Sequence, residues 1–217
     1  MKKSRTFLVS ATIILLALLV VFPALSWLYL QRGMDFRKEI LNDLADLGTI
    51  VEFEIDYEVA LPFTPSVYPD KLVLASFFDP TNESDKQLMG ELLVKLHEQF
   101  DERSDLLLVN NLRTGNELLL NDFLTTHQLA DPDQIYFNLI PPSRWEGYLT
   151  AYCQIGKERY AEYANQPFFL LIDLGGRVKR IYRAADKEEI KRMVAQTAMI
   201  LPVRKERELI FERESEK

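Results

Sequence analysis

Thiols and imidazoles are scarce in this sequence. Its 217 residues hold one cysteine, Cys153, and two histidines, His97 and His127. A single cysteine excludes an intrachain disulfide and any CxxC or CxxxC pair for redox or metal chemistry. With only two histidines a Cys/His zinc centre is also hard to build. No GxGxxG, Walker-type phosphate loop, GxSxG or HExxH occurs, so nothing supports nucleotide binding or hydrolysis. Basic charge is also in deficit: 26 Lys and Arg stand against 33 Asp and Glu, a net −7. A nucleic-acid binder would carry a basic face, and that class is set aside. The remainder is ordinary for a folding chain, 47% hydrophobic and 27% charged, and the length predicts one domain with an appendage.

The charge is unevenly spread. Residues 1–30 hold Lys2, Lys3 and Arg5 and no acid, so every carboxylate lies further along. From Phe7 to Leu30 the chain runs 24 residues without a charge. At about 1.5 Å rise per residue, a helix of this length spans a bilayer core of about 30 Å. Trp27 and Tyr29 fall at its far end, where aromatic rings favour the interface, and Pro23 is tolerable in a membrane helix. Two readings compete: an uncleaved anchor, or a signal peptide cut after residue 26, since Ala24-Leu25-Ser26 has the small-x-small form. The apolar run continues past that cut through Leu30, which favours the anchor. The basic start then places the N-terminus in the cytoplasm and the acidic domain on the extracytoplasmic side of the cytoplasmic membrane. Arg32, Arg37 and Lys38 beyond the run weaken that vote.

The expected organisation is an anchor over 1–32, a helical stalk over 33–48, a folded domain over 49–202 and a charged tail over 203–217. Phe36, Ile40, Leu41, Leu44 and Leu47 recur at helical spacing, with Gly48 as the stop. Val51 to Val59 alternates apolar and acidic residues, as in a strand with one wet face. Leu72 to Phe78 reads as a strand covered on both faces. Ser84 with Gln87 has the form of a capping box opening a helix to about Phe100. A strand over Asp105–Val109, a helix over Glu117–His127 and a strand over Ile135–Leu139 follow, then a helix from Trp145 to about Tyr163. Phe168–Asp173, a Leu174-Gly175-Gly176 turn and Val178–Tyr182 form a hairpin, and Asp186 with Glu189 caps a last helix through about Leu201. This order demands a mixed central sheet flanked by helices, an α/β sandwich.

Most chemistry-bearing residues have a structural reading. Cys153 lies inside a helix, where a free cysteine packs as a small apolar residue. His97 and His127 read as surface or boundary residues. Asp79, Glu83 and Asp85 sit at a helix start, where carboxylates complement the helix dipole; as a hard-cation or partner-binding patch they are too few to specify a metal. Asp131-Pro132-Asp133 is a turn, and Phe168, Phe169 and Leu171 are sheet core. In the tail, Leu209, Ile210 and Phe211 could anchor a docking segment, although a solvated helical end is the plainer reading.

Lys71 to about Leu201 resembles the thioredoxin-like Sco/SenC proteins, which are membrane-anchored copper chaperones for cytochrome oxidase. The resemblance is carried by the N-terminal anchor, the LVLASFF strand running into a loop and capped helix, the FFLLIDLGGRVKRIYR hairpin and the DKEEIKRMV helix. It implies a thioredoxin-like sandwich with an N-terminal transmembrane helix. It also implies a site in the loop Asp79, Pro80, Thr81, Asn82, Glu83 and Asp85, with Asn165 and Pro167 beside it. The family binds copper through a CxxxC pair and a histidine. Thr81 and Asp85 stand where the cysteines would be, and Asn165 where the histidine would be. Cu(I) prefers thiolate and thioether ligands, and disulfide exchange needs a thiolate, so this loop can run neither chemistry. Pro167, directly before the FFLLID strand, is expected in the cis form by the same resemblance.

The expectation is therefore a degenerate, copper-free and redox-inactive relative with no catalytic residue, no metal site and no cofactor. It would act by contact with a protein of the cell envelope, in oxidase or other metalloprotein assembly. The alternatives are a thioredoxin-like oxidoreductase or peroxidase relying on Cys153 or a partner's thiol, and a structural subunit of a membrane complex.

Overall fold

The computed structural model describes residues 2–49, 71–129, 131–152, 162–163 and 165–201, with side chains from residue 18 in the first helix and up to residue 150 in the helix ending at Tyr152. The expected strand over 51–59, Cys153 and the tail over 203–217 lie outside the described residues. The chain divides into two compact units, 1–44 and 45–217.

The first unit is one helix, α1 (Lys2–Asn42), which carries Pro23 inside it. Between Leu18 and Leu30 its large apolar side chains face outward: Leu19 is 69% exposed, Phe22 63%, Trp27 65% and Tyr29 80%. Among the described residues no helix is long and apolar enough to cross a membrane. Residues 7–17 of the apolar run fall outside the described side chains. The helical stalk ends earlier than expected, at Asn42 rather than Gly48. The reason is visible in the second unit, where residues 45–49 are extended along a strand edge instead. Ala45 N donates to Lys179 O, Leu47 N to Val178 O, and Val178 N to Gly48 O. Gly48 adopts φ 122°, a conformation glycine alone takes readily, so it marks a kink in this edge segment and not a helix stop.

The second unit is built on β1 (Leu72–Phe78), α2 (Glu83–Phe100), β2 (Leu106–Leu112), α3 (Glu117–His127), β3 (Ile135–Leu139), α4 (Pro142–Tyr152), β4 (Phe168–Ile172), β5 (Val178–Arg183) and α5 (Lys187–Ile200). The strand order is β3-β2-β1-β4-β5. β1, β2 and β3 are parallel, and β4 and β5 return antiparallel. Every residue of β1, β2 and β4 is buried, as expected of apolar runs covered on both faces. One face carries Val73, Ala75, Phe77, Leu107, Val109, Phe168 and Leu170 and packs under Trp145, Tyr148 and Leu149 of α4. The pleat turns Leu74, Phe78 and Leu108 to the opposite face. There Phe78 meets Phe123 of α3 at 5.2 Å between ring centroids.

Two consecutive asparagines, Asn110 and Asn111, lie fully buried in β2. Because successive side chains point to opposite faces, each must find partners on its own side. Asn110 Oδ1 accepts from Ser76 Oγ at 2.6 Å, and its Nδ2 donates to Tyr136 O at 3.1 Å. Asn111 Oδ1 accepts from Tyr148 OH at 2.6 Å and Asn138 Nδ2 at 3.0 Å, and its own Nδ2 donates to Ser76 O. Asn111 thus ties β1, β2, β3 and α4 together.

Several local expectations are corrected. α2 is capped by Asn82, whose side chain accepts from Ser84 N and Asp85 N, while Ser84 lies inside the helix and Gln87 bonds Glu91. Asparagine is among the best N-caps, and a candidate two residues upstream takes the role. Asp186 does cap the last helix, but Glu189 accepts from Arg183 N instead of closing a box. β2 runs on to Leu112, and α4 begins at Pro142, where a proline's missing N–H costs nothing. The hairpin turn forms as expected: Asp173 Oδ1 accepts from Gly175 N and Arg177 N, and Gly176 takes φ 72°.

The Asn111 hub has a measurable cost of removal. Tyr148→Phe should destabilise the chain by about 1 kcal/mol, the worth of one hydrogen bond. Asn111→Ala should cost about 3 kcal/mol, since it removes three hydrogen bonds to buried groups and leaves a cavity. Urea unfolding read by circular dichroism checks both, and equal, small effects would show that the network contributes little.

Candidate functional site

The parallel strands β1 and β2 end side by side, at Phe78 and Leu112, and Arg113 N donates to Phe78 O at 2.9 Å. The carboxyl ends of parallel strands are where α/β sheets place ligands. Here the first loop, Asp79–Asn82, closes on itself. Asp79 Oδ1 accepts from Thr81 N at 2.9 Å and from Thr81 Oγ1 at 2.6 Å, and Asn82 N donates to Asp79 O. Asn82 then caps α2, so the loop meets the positive end of that helix. Trp145 enters from the first turn of α4, its ring 6.1 Å edge-on to Phe77, which itself stacks on Phe168 at 4.8 Å.

Together these elements enclose a pocket of about 170 Å³ lined by Phe78, Asp79, Asn82, Asp85, Arg113, Trp145, Asn165 and Gln166. The structure thus brings together four of the residues expected at the site: Asp79, Asn82, Asp85 and Asn165. Pro80 is buried in the loop, Thr81 is exposed, and Glu83 faces solvent with an ion pair to Lys86 at 3.5 Å. Pro167 is buried at the start of β4, with its carbonyl accepting from Ala184 N. Its peptide bond is trans, which corrects the expected cis form. Trans is the ground state of X-Pro, and a proline opening a strand gives up no ladder bond.

Arg113 and Trp145 were not singled out as site residues. Arg113 carries a legible signal, a cation placed directly after an apolar strand. Trp145 carries none, because a tryptophan in a helix reads as core until its neighbours are known.

The pocket's electrostatics are unbalanced. Burial, with the charge of Asp79 beside it, pushes the Asp85 carboxyl above the ordinary carboxylate value. Arg113 Nε and Trp145 Nε1 are buried without a hydrogen-bond partner among the described residues. The donor set does not fit copper. The loop offers carboxylates, amides and a hydroxyl, all harder than Cu(I) prefers, and a guanidinium stands in the wall. No thiol occurs between Asp79 and Lys86.

The histidines lie apart from this pocket. His97 Nε2 meets Asp131 Oδ2 at 2.9 Å and Asp101 Oδ1 at 3.7 Å. This contact holds the Asp131 carboxyl below its ordinary value. Asp131 also accepts from Asp133 N, so Asp131-Pro132-Asp133 is the expected turn, fastened to α2 by His97. The His127 ring packs against Gly90, where a Cβ would lie 2.2 Å from it, and burial lowers its pKa.

No family model matches the chain, and no curated protein matches it. Solved structures do. One is a candidate protein disulfide isomerase from Bacteroides thetaiotaomicron, at TM-score 0.52 and 17% identity, covering 73% of this chain and 91% of that one. Another is BsSco, a member of the Sco family of cytochrome c oxidase assembly proteins in which a disulfide switch was identified, at TM-score 0.52 and 16% identity, covering 71% and 95%. A third is a thioredoxin-like superfamily protein at TM-score 0.50 and 17% identity, covering 74% and 99%. At these identities the likeness establishes the fold, which is thioredoxin-like.

The Asp85 environment fixes a pH dependence. A carboxyl raised on folding binds its proton more tightly in the folded chain, so its effect favours folding below the ordinary carboxylate value and is lost as pH rises through the raised one. Asp85→Asn should therefore raise the melting temperature at pH 7, and the gain should shrink toward zero as pH falls to about 3. A gain that stays constant across that range would show that charge burial is not the cause.

Proposed function

We propose that this thioredoxin-like chain is a membrane-tethered binding protein without thiol chemistry. Its site loop engages another protein of the cell envelope, in the assembly of a respiratory oxidase or another metalloprotein. The observation that carries this reading is the loop itself. The Asp79–Asp85 segment holds no cysteine, yet it is ordered by its own hydrogen bonds around a polar pocket. Assembly as the process is supported by the likeness in fold to BsSco, described as belonging to a family of cytochrome c oxidase assembly proteins.

Tethering is supported by α1. A helix that exposes Leu18, Leu19, Phe22, Leu25, Trp27 and Leu28 to water pays a steep hydrophobic cost unless something apolar covers it. The uncharged run from Phe7 to Leu30 is long enough for a bilayer to be that cover, and Lys2, Lys3 and Arg5 orient it with the N-terminus in the cytoplasm. The folded domain then sits on the extracytoplasmic side of the cytoplasmic membrane.

Three measurements test the proposal. Protease added to spheroplasts should digest the domain after residue 30; protection would overturn the topology. Titration of the purified chain should show no tight, stoichiometric Cu(I) binding; finding it would overturn the copper-free reading. A photo-crosslinking residue at exposed Thr81 should trap oxidase-assembly or oxidase-subunit proteins in membranes. Peroxide or disulfide turnover that is lost in Cys153→Ser would favour an oxidoreductase instead.

A further inference from the structure

The pocket at the end of β1 and β2 carries a mismatch that its own residues do not resolve. Trp145 is 3% exposed, and its indole N–H has no acceptor among the described residues; the same holds for Arg113 Nε. A buried donor without a partner costs about 1–3 kcal/mol, so such atoms point to an acceptor supplied from outside. The same lining carries acceptors in the opposite condition. Among the described residues no donor reaches the Asp85 carboxylate, and Asp79 uses one carboxylate oxygen on Thr81 and the other on no donor. Neither forms an ion pair with Arg113 among the described residues.

An occupant must therefore present both an acceptor and donors. A carboxylate satisfies Trp145 and Arg113 but meets two acids in the same lining. An ammonium suits the acids but faces a guanidinium. A primary carboxamide offers one carbonyl and two N–H donors without net charge. Size agrees: about 170 Å³ holds five or six waters or a few heavy atoms, well below the roughly 300–1,000 Å³ of cofactor-sized sites.

We infer that this pocket receives a primary carboxamide, the side chain of an asparagine or glutamine on the bound polypeptide. The inference rests on reading the loop as a protein-binding site, and it names what that site recognises. Trp145 and Arg113 grip the carbonyl oxygen, and Asp79 and Asp85 take the amide hydrogens.

Propanamide is the probe, applied to the full chain in detergent micelles with ¹⁵N-labelled tryptophan. Only Trp27 and Trp145 occur, so Trp145→Phe assigns the two indole resonances. Propanamide should shift the Trp145 resonance saturably, with a dissociation constant on the order of millimolar, and leave Trp27 unmoved. Propionate and propylammonium should bind at least about tenfold more weakly, and N-methylacetamide, standing for a backbone amide, should also be weaker. Asp85→Ala should weaken propanamide about fivefold and Arg113→Gln about tenfold. Should Arg113→Gln fail to fold, the four-probe comparison on the unaltered chain decides.

Absence of a saturable shift would mean that water alone fills the pocket, and would overturn the inference. Equal or tighter binding of propionate would make it an anion site and overturn it too, as would N-methylacetamide matching propanamide. Crosslinking from Thr81 is independent of these results: capture without propanamide binding would sink this inference and spare the binding role, and the converse would do the reverse.

Discussion

Burial of β1 on both faces is the constraint from which the rest of the domain follows. A strand with no wet side must be apolar throughout or pair every polar atom it carries. β1 does the first with Leu72 to Ala75 and the second at Ser76, whose hydroxyl and carbonyl go to Asn110 and Asn111. Its hydrogen bonding to β2 on one side and β4 on the other leaves its end at Phe78 little freedom. Every site element then takes its position from that end. The loop leaves Phe78, Arg113 is fixed by its bond to the Phe78 carbonyl, and Trp145 is held by the Phe77 ring. The Asn111 hub performs the same service one turn along α4, through Tyr148. The polar network in the middle of the sheet and the pocket at its edge are thus parts of one arrangement.

Legibility in the sequence followed locality. LVLASFF and FFLLI announce covered strands because a two-sided burial requirement writes itself into every residue. The hairpin was legible from Leu174-Gly175-Gly176, since the chemistry of a tight turn is carried by the turn residues themselves. Interactions between distant residues were not. Residues 33–48 keep helical spacing to the end, yet the chain leaves α1 at Asn42 because the free edge of β5 offers Ala45, Leu47 and Gly48 backbone partners. Ser84 and Asn82 were both eligible caps by type, and the geometry of the loop closed by Asp79 decided between them.

The site was half legible for the same reason. Asp79, Asn82 and Asp85 lie within seven residues, and Asn165 entered through the resemblance. Arg113 and Trp145 arrive from the end of β2 and the start of α4, brought in by sheet order and by helix packing. No spacing rule connects positions 82, 113, 145 and 165. The cis form expected of Pro167 shows the opposite hazard. It came from the resemblance alone, and nothing in Gln166-Pro167 itself required it.

A site loop that has no thiols could have collapsed into ordinary surface. This one has not, because its polar groups divide into those that build the loop and those held back from it. Asp79 Oδ1 and Asn82 Oδ1 are consumed by backbone and hydroxyl donors and fix the turn. Arg113 Nε, Trp145 Nε1 and the Asp85 carboxylate are left over among the described residues, on elements positioned by the sheet and by the packing of α4. Unpaired groups of both kinds in the lining of one pocket are what hydrogen-bonded recognition of an occupant requires. Burial and the neighbouring Asp79 charge raise the Asp85 carboxyl in the free chain, and amide donors from an occupant would favour its charged form.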